Sequence, residues 1–192
     1  MIQVINPTTG KQLRTYDELS SEKVNKIIDD MYSSWSAWKQ TSFEERKAHM
    51  MELASLMTEE KHTLAQLMTE EMGKLQKDGV SEIEKCAWVC EYFADHAEKF
   101  LQPEKIESDA TDSYVSFQPL GIVLAIMPWN FPFWQVMRFA APALMAGNVG
   151  LLKHAPNVPG CAAAIESLFK RAGFPENVFR NFHIDESQVE GI

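Results

Sequence analysis

The chain has 192 residues and a net charge of −9, a length that allows one or two domains with an ordinary hydrophobic core. No apolar run approaches the roughly 20 residues needed to span a bilayer. The first residues contain neither a basic segment nor an apolar one, so we expect no signal peptide. An acidic balance without a basic stripe argues against nucleic acid as a partner. Three cysteines, an odd number in a chain without an export signal, favour a reducing compartment. We therefore expect a cytoplasmic protein that contacts no membrane.

The chain begins with a predicted β-hairpin and a capped helix. Short alternating runs at residues 2–5 and 12–16 flank a turn that ends at Gly10, which can supply a positive φ angle. Ser20 or Ser21 can cap the helix that follows, because a side-chain oxygen there accepts from free N–H groups of the first turn. The apolar stripe of this helix consists of Val24, Ile27, Ile28, Met31, Trp35 and Trp38.

Three more helices are predicted next. Ser42 and Glu45 match a capping box, which opens the first of them. A second helix follows and ends at Met72, with Gly73 as its stop signal. The third helix, at residues 80–101, is indicated by apolar side chains that recur at helical spacing.

Two strands are predicted after these helices. Residues 114–118 alternate and end at Pro119, which is typical of an edge or hairpin strand. Residues 122–127 form a continuous aliphatic run between Gly121 and Pro128. Such a run predicts a strand that is buried on both faces, as in a parallel sheet.

The rest of the chain alternates between helices and strands. We expect a crossover helix at residues 133–146, a second buried strand at 149–153, a helix at 159–172 and a third strand at 178–184. The order of elements therefore predicts an α/β fold in which a helical amino-terminal layer packs on part of a doubly wound parallel sheet. Ligands of such sheets lie beyond the carboxyl ends of the strands.

Polar side chains fall at those strand ends. Asn130 lies on a proline-flanked turn, where its amide can donate to an oxygen that becomes negative during attack on a carbonyl, or can simply cap the next helix. Lys153 ends a buried strand, so its charge must find a partner or reach solvent. Arg138 lies in an otherwise apolar helix, so its charge must be paired with a ligand or a structural acid, or be exposed at a subunit contact.

The cysteines offer weaker candidates. Cys86 and Cys90 are one helical turn apart, and core packing is favoured over a metal or redox pair because no second ligand pair follows. Cys161 is early in a helix, where modest activation of its thiol is expected. We predict no metal site.

Several motifs resemble the aldehyde dehydrogenase superfamily. Residues 127–132 read Met-Pro-Trp-Asn-Phe-Pro, residues 142–148 end in Gly-Asn, and residues 151–153 read Leu-Leu-Lys. The resemblance extends upstream to residues 5–10 and to the Glu-Met-Gly-Lys of residues 71–74. Members of that family are more than twice this long, so the chain resembles an amino-terminal portion with an incomplete aldehyde dehydrogenase fold and a Rossmann-like sheet.

This resemblance implies roles for the candidate residues. Asn130 would stabilise the oxyanion of the substrate, and Arg138 would hold the distal carboxylate of succinate semialdehyde. NAD-preferring relatives often carry a glutamate where this chain has Pro156, so either NAD or NADP is a possible cofactor. The residues expected to contact that cofactor are Ile126, Met127, Pro128, Trp129 and Lys153.

The resemblance also implies a domain plan and a reaction. Residues 1–108 would be the helical part of the cofactor-binding domain, 109–119 an oligomerisation-arm strand, and 120–192 a βαβαβ unit, with the catalytic domain absent. The family oxidises aldehydes and forms homo-oligomers, but the catalytic cysteine and glutamate motifs are missing here. We therefore expect an inactive, aggregation-prone or molten chain. A short non-catalytic protein that binds a nucleotide or a partner is the alternative.

Overall fold

Residues 1–191 of the chain are described by a computed structural model, in which helices dominate the first half and a parallel sheet the second. The helices are α1 Ser21–Trp38, α2 Phe43–Met72, α3 Gln76–Phe100, α4 Trp134–Met145 and α5 Pro159–Arg171. The strands are β1 Ile2–Ile5, β2 Gln12–Tyr16, β3 Glu104–Lys105, β4 Tyr114–Val115, β5 Ile122–Met127, β6 Val149–His154 and β7 Phe179–Phe182. A short 3-10 helix at Glu186–Gly191 follows β7.

The amino-terminal hairpin has the predicted bounds. Strands β1 and β2 pair in antiparallel register, with Ile2 opposite Tyr16. Gly10 has a φ angle of 67°, a left-handed conformation that a residue with a side chain rarely adopts. The residues of the turn are therefore sufficient to predict this hairpin.

The helix caps also follow the sequence. The Ser20 hydroxyl accepts from the Lys23 N–H at the start of α1. The side chains of Ser42 and Glu45 form the reciprocal capping box at the start of α2. Gly73 ends α2 with a φ angle of 75°.

The predicted break within residues 43–72 is wrong, because α2 is one helix of 30 residues. A polar stretch at 58–63 interrupts the apolar stripe but contains neither glycine nor proline, and Leu64 and Met68 then resume the buried face. Helix α3 also begins earlier than predicted, at Gln76. Its Gly79 lies against Ala65, which lets α2 and α3 approach closely.

Strands β5, β6 and β7 form the predicted parallel sheet, in that order. The register pairs Ile122 with Val149 and Gly150 with Phe179. Helices α4 and α5 are the crossovers, and α2 contacts both of them while α3 contacts α4. The helical layer therefore packs on the crossover helices of the sheet, as an α/β fold requires.

The burial predicted for β5 is wrong. Strand β6 is buried along its whole length, whereas in β5 only Ala125 is buried and Ile126 is 59% exposed. The reason is the strand order, which makes β5 an edge of the sheet among residues 1–191. Strand β7 is the other edge and is shorter than predicted.

The predicted strand at residues 114–118 is reduced to Tyr114–Val115. It pairs with Glu104–Lys105, which the sequence did not identify as a strand. This small hairpin spans the proposed boundary at residue 108, and the division into domains stays a prediction. No helix within residues 1–191 combines the length and apolar character needed to cross a bilayer.

Candidate functional site

The turn between β5 and α4 presents the polar candidate Asn130. Pro128, Trp129, Asn130 and Phe131 are exposed at this turn, and Met127 is half-buried at the end of β5. The Asn130 side chain makes no hydrogen bond with any residue of the described part of the chain, so it does not cap α4. Its amide is therefore free to donate to a ligand.

The start of α4 is capped from another helix. One oxygen of the Glu82 carboxylate, on α3, accepts from the backbone N–H groups of Phe133 and Trp134, each at 2.9 Å. A carboxylate at a helix N-terminus satisfies free donors and opposes the helix dipole. Glu82 thus fixes where α4 begins.

Lys74 binds the same turn. Its ammonium forms an ion pair with Glu82, and the side chains of Lys74 and Glu82 are only 9% and 1% exposed. It also donates to the backbone carbonyl of Asn130 at 3.1 Å and lies 3.9 Å from the centre of the Phe131 ring. The charge of this buried lysine is therefore compensated on several sides.

His154 ties the turn to the sheet. Its Nδ1 accepts from the Ala155 N–H at 2.8 Å, which leaves Nε2–H to donate to the Pro132 carbonyl at 2.9 Å. Burial lowers the pKa of His154, so the ring is neutral at physiological pH.

Lys153 lies beside this turn at the carboxyl edge of the sheet. The register pairs it directly with Ile126 of β5. Its side chain is buried, and its one ion-pair partner within residues 1–191 is the exposed Glu186 carboxylate, 3.8 Å away. A buried ammonium with such weak compensation fits an anionic or hydroxyl-rich ligand.

Arg138 is exposed on α4 and has no ion-pair partner in the described part of the chain. A structural acid within residues 1–191 therefore does not explain it. It is one helical turn beyond Trp134, so both side chains lie on the same face of α4. Trp134 lines a surface cavity of about 590 Å³ together with Asn130 and Phe131.

A second buried carboxylate caps the next crossover helix. Glu71, near the end of α2, accepts from the N–H groups of Gly160 and Cys161, each at 2.9 Å. A β-carbon at Gly160 would collide with the Glu71 carboxylate, so glycine is needed at this close approach. Burial raises the pKa of Glu71.

None of the three cysteines is an activated thiol. Cys86, Cys90 and Cys161 are all buried, and burial is the main cause that raises the pKa of each. The predicted activation of Cys161 is wrong, because the Glu71 carboxylate beside it adds to the effect of burial and opposes the helix N-terminus. Packing explains Cys86 and Cys90.

Lys74 and Glu82 were not identified from the sequence as parts of this site, and Glu71 was not identified as the cap of α5. One signal was available for Glu82, which interrupts the apolar face that α3 presents through Gly79 and Cys86. A charged residue at such a position requires a buried partner. Nothing local identified that partner as a turn 51 residues further along the chain.

Comparison with known proteins agrees with the motifs of this site. The aldehyde dehydrogenase family model matches residues 1–190. A protein of Synechocystis sp. named probable succinate-semialdehyde dehydrogenase, NADP(+), is 47% identical over 183 residues, which is 95% of this chain and 40% of that protein. The succinate-semialdehyde dehydrogenase, NADP(+), of Mycobacterium leprae is 43% identical over 194 residues, covering 100% of this chain and 42% of that protein.

A solved structure extends the likeness to three dimensions. The succinic semialdehyde dehydrogenase of Streptococcus pyogenes, in complex with NADP+, superimposes with a TM-score of 0.96 at 33% identity, over 100% of this chain and 42% of that chain. The present chain thus spans about 40% of the length of the curated relatives it matches. It belongs to the aldehyde dehydrogenase family.

Proposed function

We propose that this chain is the amino-terminal portion of an NADP-dependent dehydrogenase that oxidises succinate semialdehyde to the carboxylic acid. The observation that carries the proposal is the free amide of Asn130 on an anchored turn, at the same sheet edge as the buried Lys153. Relatives named as NADP(+)-dependent succinate-semialdehyde dehydrogenases support the substrate and the cofactor.

Asn130 is the oxyanion donor in this proposal. When a nucleophile attacks an aldehyde carbonyl, negative charge develops on the oxygen, and a preorganised donor stabilises it. The turn is held at the Asn130 carbonyl, at the Pro132 carbonyl and at the amides of Phe133 and Trp134, so the donor needs little reorganisation. The thiolate and the general base of the reaction would come from a part of the enzyme outside this chain, because its own thiols are buried.

The edge formed by β5 and β6 is the proposed cofactor surface. Lys153 would bind hydroxyl or phosphate oxygens of the adenosine ribose, while Ile126 and Trp129 offer exposed apolar surface to flat rings. Met127 and Pro128 complete the strand end. NADP held at this edge would supply the hydride acceptor that aldehyde oxidation needs once a nucleophile has added to the carbonyl. Pro156 places no carboxylate against a 2′-phosphate, which is compatible with NADP.

Arg138 is the proposed contact for the distal carboxylate of the substrate. The N–H donors of its guanidinium can bind two carboxylate oxygens, and no acidic side chain within residues 1–191 forms an ion pair with it. Because it shares a face of α4 with Trp134, it can reach a ligand that extends from the cavity beside Asn130.

The test uses a joined protein, which is this chain followed by the carboxyl-terminal remainder of the Synechocystis relative. We expect the joined protein to reduce NADP with succinate semialdehyde, and the chain alone to produce no NADPH. Lys153→Met should weaken NADP binding, whereas Lys170→Met, an exposed lysine of α5, should not.

An inactive joined protein that folds and still binds NADP would contradict the dehydrogenase proposal and favour a non-catalytic binding protein. Equal NADP affinity for Lys153→Met and the unsubstituted protein, measured by calorimetry, would remove Lys153 from the cofactor site. Steady NADPH production by the chain alone would show that its own residues are sufficient.

A further inference from the structure

We propose that Lys74 and Glu82 are positioning residues for Asn130, an inference that rests on the oxyanion role proposed above. Both side chains contact the segment of residues 130–134 directly; that of Glu82 is buried and that of Lys74 is only 9% exposed. They lie on different parts of the helical layer, Glu82 within α3 and Lys74 in the link between α2 and α3. The pair therefore couples the position of the turn to the position of the helical layer.

Glu82 fixes the side of the turn that leads into α4. A single carboxylate oxygen accepts from two consecutive backbone N–H groups, those of Phe133 and Trp134. Two bonds to one atom constrain both the direction of α4 and its separation from α3. The other carboxylate oxygen is paired with Lys74.

Lys74 fixes the residue that carries the amide. An ammonium has three donors, and here one is used for Glu82 and one for the carbonyl of Asn130. The bond to its own carbonyl limits rotation of the peptide unit beside Asn130, and the Phe131 ring against the ammonium limits the next residue. These contacts hold the backbone from which the Asn130 side chain projects.

The other buried capping carboxylate provides an internal comparison. Glu71 caps α5 through Gly160 and Cys161, and no lysine or arginine within residues 1–191 forms an ion pair with it. A capping glutamate in this fold thus does not require a buried lysine. Lys74 lies at the cap of α4, next to the turn that carries Asn130. We infer that Lys74 serves this turn and not the cap itself.

Steady-state kinetics of the joined protein test the inference. We expect Lys74→Met and Glu82→Ala to lower kcat by about 100-fold, because a misplacement near 1 Å can cost that much in rate. The KM for NADP should change little, since neither residue touches the proposed cofactor edge. Glu82→Gln retains an oxygen acceptor for the two amides and should recover much of the loss.

Glu71→Ala is the matched control, since it removes a cap of similar burial from α5. We expect it to lower the thermal unfolding temperature while kcat stays within about threefold of the unsubstituted protein. An equal kcat loss in Glu71→Ala, or an unchanged kcat in Lys74→Met, would overturn the positioning role. If Glu82→Ala does not fold, the kcat of Lys74→Met decides.

Amide hydrogen exchange of the joined protein separates this inference from the proposed function. Glu82→Ala should accelerate exchange in residues 130–136 and Glu71→Ala in residues 160–164. An inactive but folded joined protein counts against the dehydrogenase proposal, and the exchange result then decides the positioning role. Unchanged exchange at residues 130–136 in both Lys74→Met and Glu82→Ala would contradict it.

Discussion

At the scale of single residues, the site is defined by which polar groups have partners and which do not. The ammonium of Lys74 and the carboxylate of Glu82 are buried together and compensated. Arg138 and the Asn130 amide have no partner within residues 1–191, and Lys153 has only the weak, exposed one of Glu186. The groups without such partners are available to bind a ligand.

The substrate role proposed for Arg138 leads to a specificity prediction in the joined protein. Arg138→Leu should raise KM for succinate semialdehyde far more than KM for an uncharged aldehyde of similar size. The loss should approach about 1.5 to 3 kcal/mol, the range of a hydrogen bond to a charged group. Arg171→Leu, on the surface of α5, should leave both KM values unchanged. Equal effects of Arg138→Leu on both substrates would show that Arg138 has a structural role.

The buried histidines predict how stability depends on pH. Burial lowers the pKa of His154 and of His183 in the folded state. As the pH falls through about 6.5, these histidines bind protons in the unfolded chain but not in the folded chain, so the free energy of unfolding decreases. His154→Gln keeps a donor for the Pro132 carbonyl but does not titrate, and should weaken this dependence. Urea unfolding between about pH 7.5 and 5.5 measures it.

The exposed His62 provides the control for that experiment. His62→Gln should leave the pH dependence as it is. The same dependence in His154→Gln and in the unsubstituted chain would mean that His154 does not contribute to it.

Some site candidates could be predicted from the sequence because the signal was local. Asn130 follows β5 and Lys153 lies near the end of β6, and a position at the carboxyl ends of parallel strands indicated a site. Lys74 and Glu82 could not be identified in the same way, because their roles arise from contacts between segments more than 50 residues apart. Periodicity describes a helix face but not the turn that lies against it.

At the scale of elements, the paired helices α2 and α3 set the shape of the helical layer. Their close approach depends on Gly79, since a β-carbon there would be 2.9 Å from the Ala65 β-carbon and 3.1 Å from its α-carbon. The two helices hold Glu71 and Glu82 over the starts of α5 and α4. Displacement of one helix would therefore disturb both caps.

Gly79→Ala tests this packing. Alanine favours the helix by about 1 kcal/mol, but separating α2 from α3 should cost more, about 1 to 3 kcal/mol. We therefore expect a net loss of stability in thermal unfolding. Ser81→Ala, on the exposed side of α3, should cause no loss. A more stable Gly79→Ala variant would contradict the close contact.

The bounds of elements were predictable to the extent that local signals set them. Gly10, Gly73 and the capping box of Ser42 placed their turns and caps correctly. The continuity of α2 and the pairing of Glu104–Lys105 with Tyr114–Val115 depend on packing and on a partner strand, which no single segment contains. Strand β5 was assigned its bounds correctly but not its burial, because burial depends on strand order.

At the scale of the whole molecule, the sheet has two free edges within residues 1–191. Strand β5 exposes Ile126, and the adjoining turn exposes Trp129 and Phe131. Unpaired strand edges beside apolar surface favour association with further chains. Relatives more than twice as long have additional chain that can cover such an edge.

The isolated chain should therefore self-associate into heterogeneous species. Light scattering coupled to size exclusion measures this, and Ile126→Lys should shift the distribution toward monomer because a charge on an edge strand opposes pairing. Ile106→Lys, at an exposed position outside the parallel sheet, is the control. A single sharp monomer peak for the unsubstituted chain would contradict the expectation.

The most direct measurement is the kcat of Asn130→Ala in the joined protein with succinate semialdehyde and NADP. Removal of an oxyanion donor should lower kcat by about 100- to 1000-fold while NADP affinity stays unchanged. Asn157→Ala, an exposed amide just beyond β6, should retain full kcat. If the kcat of Asn130→Ala stays within about threefold of the unsubstituted joined protein, the free amide of Asn130 is not the oxyanion donor.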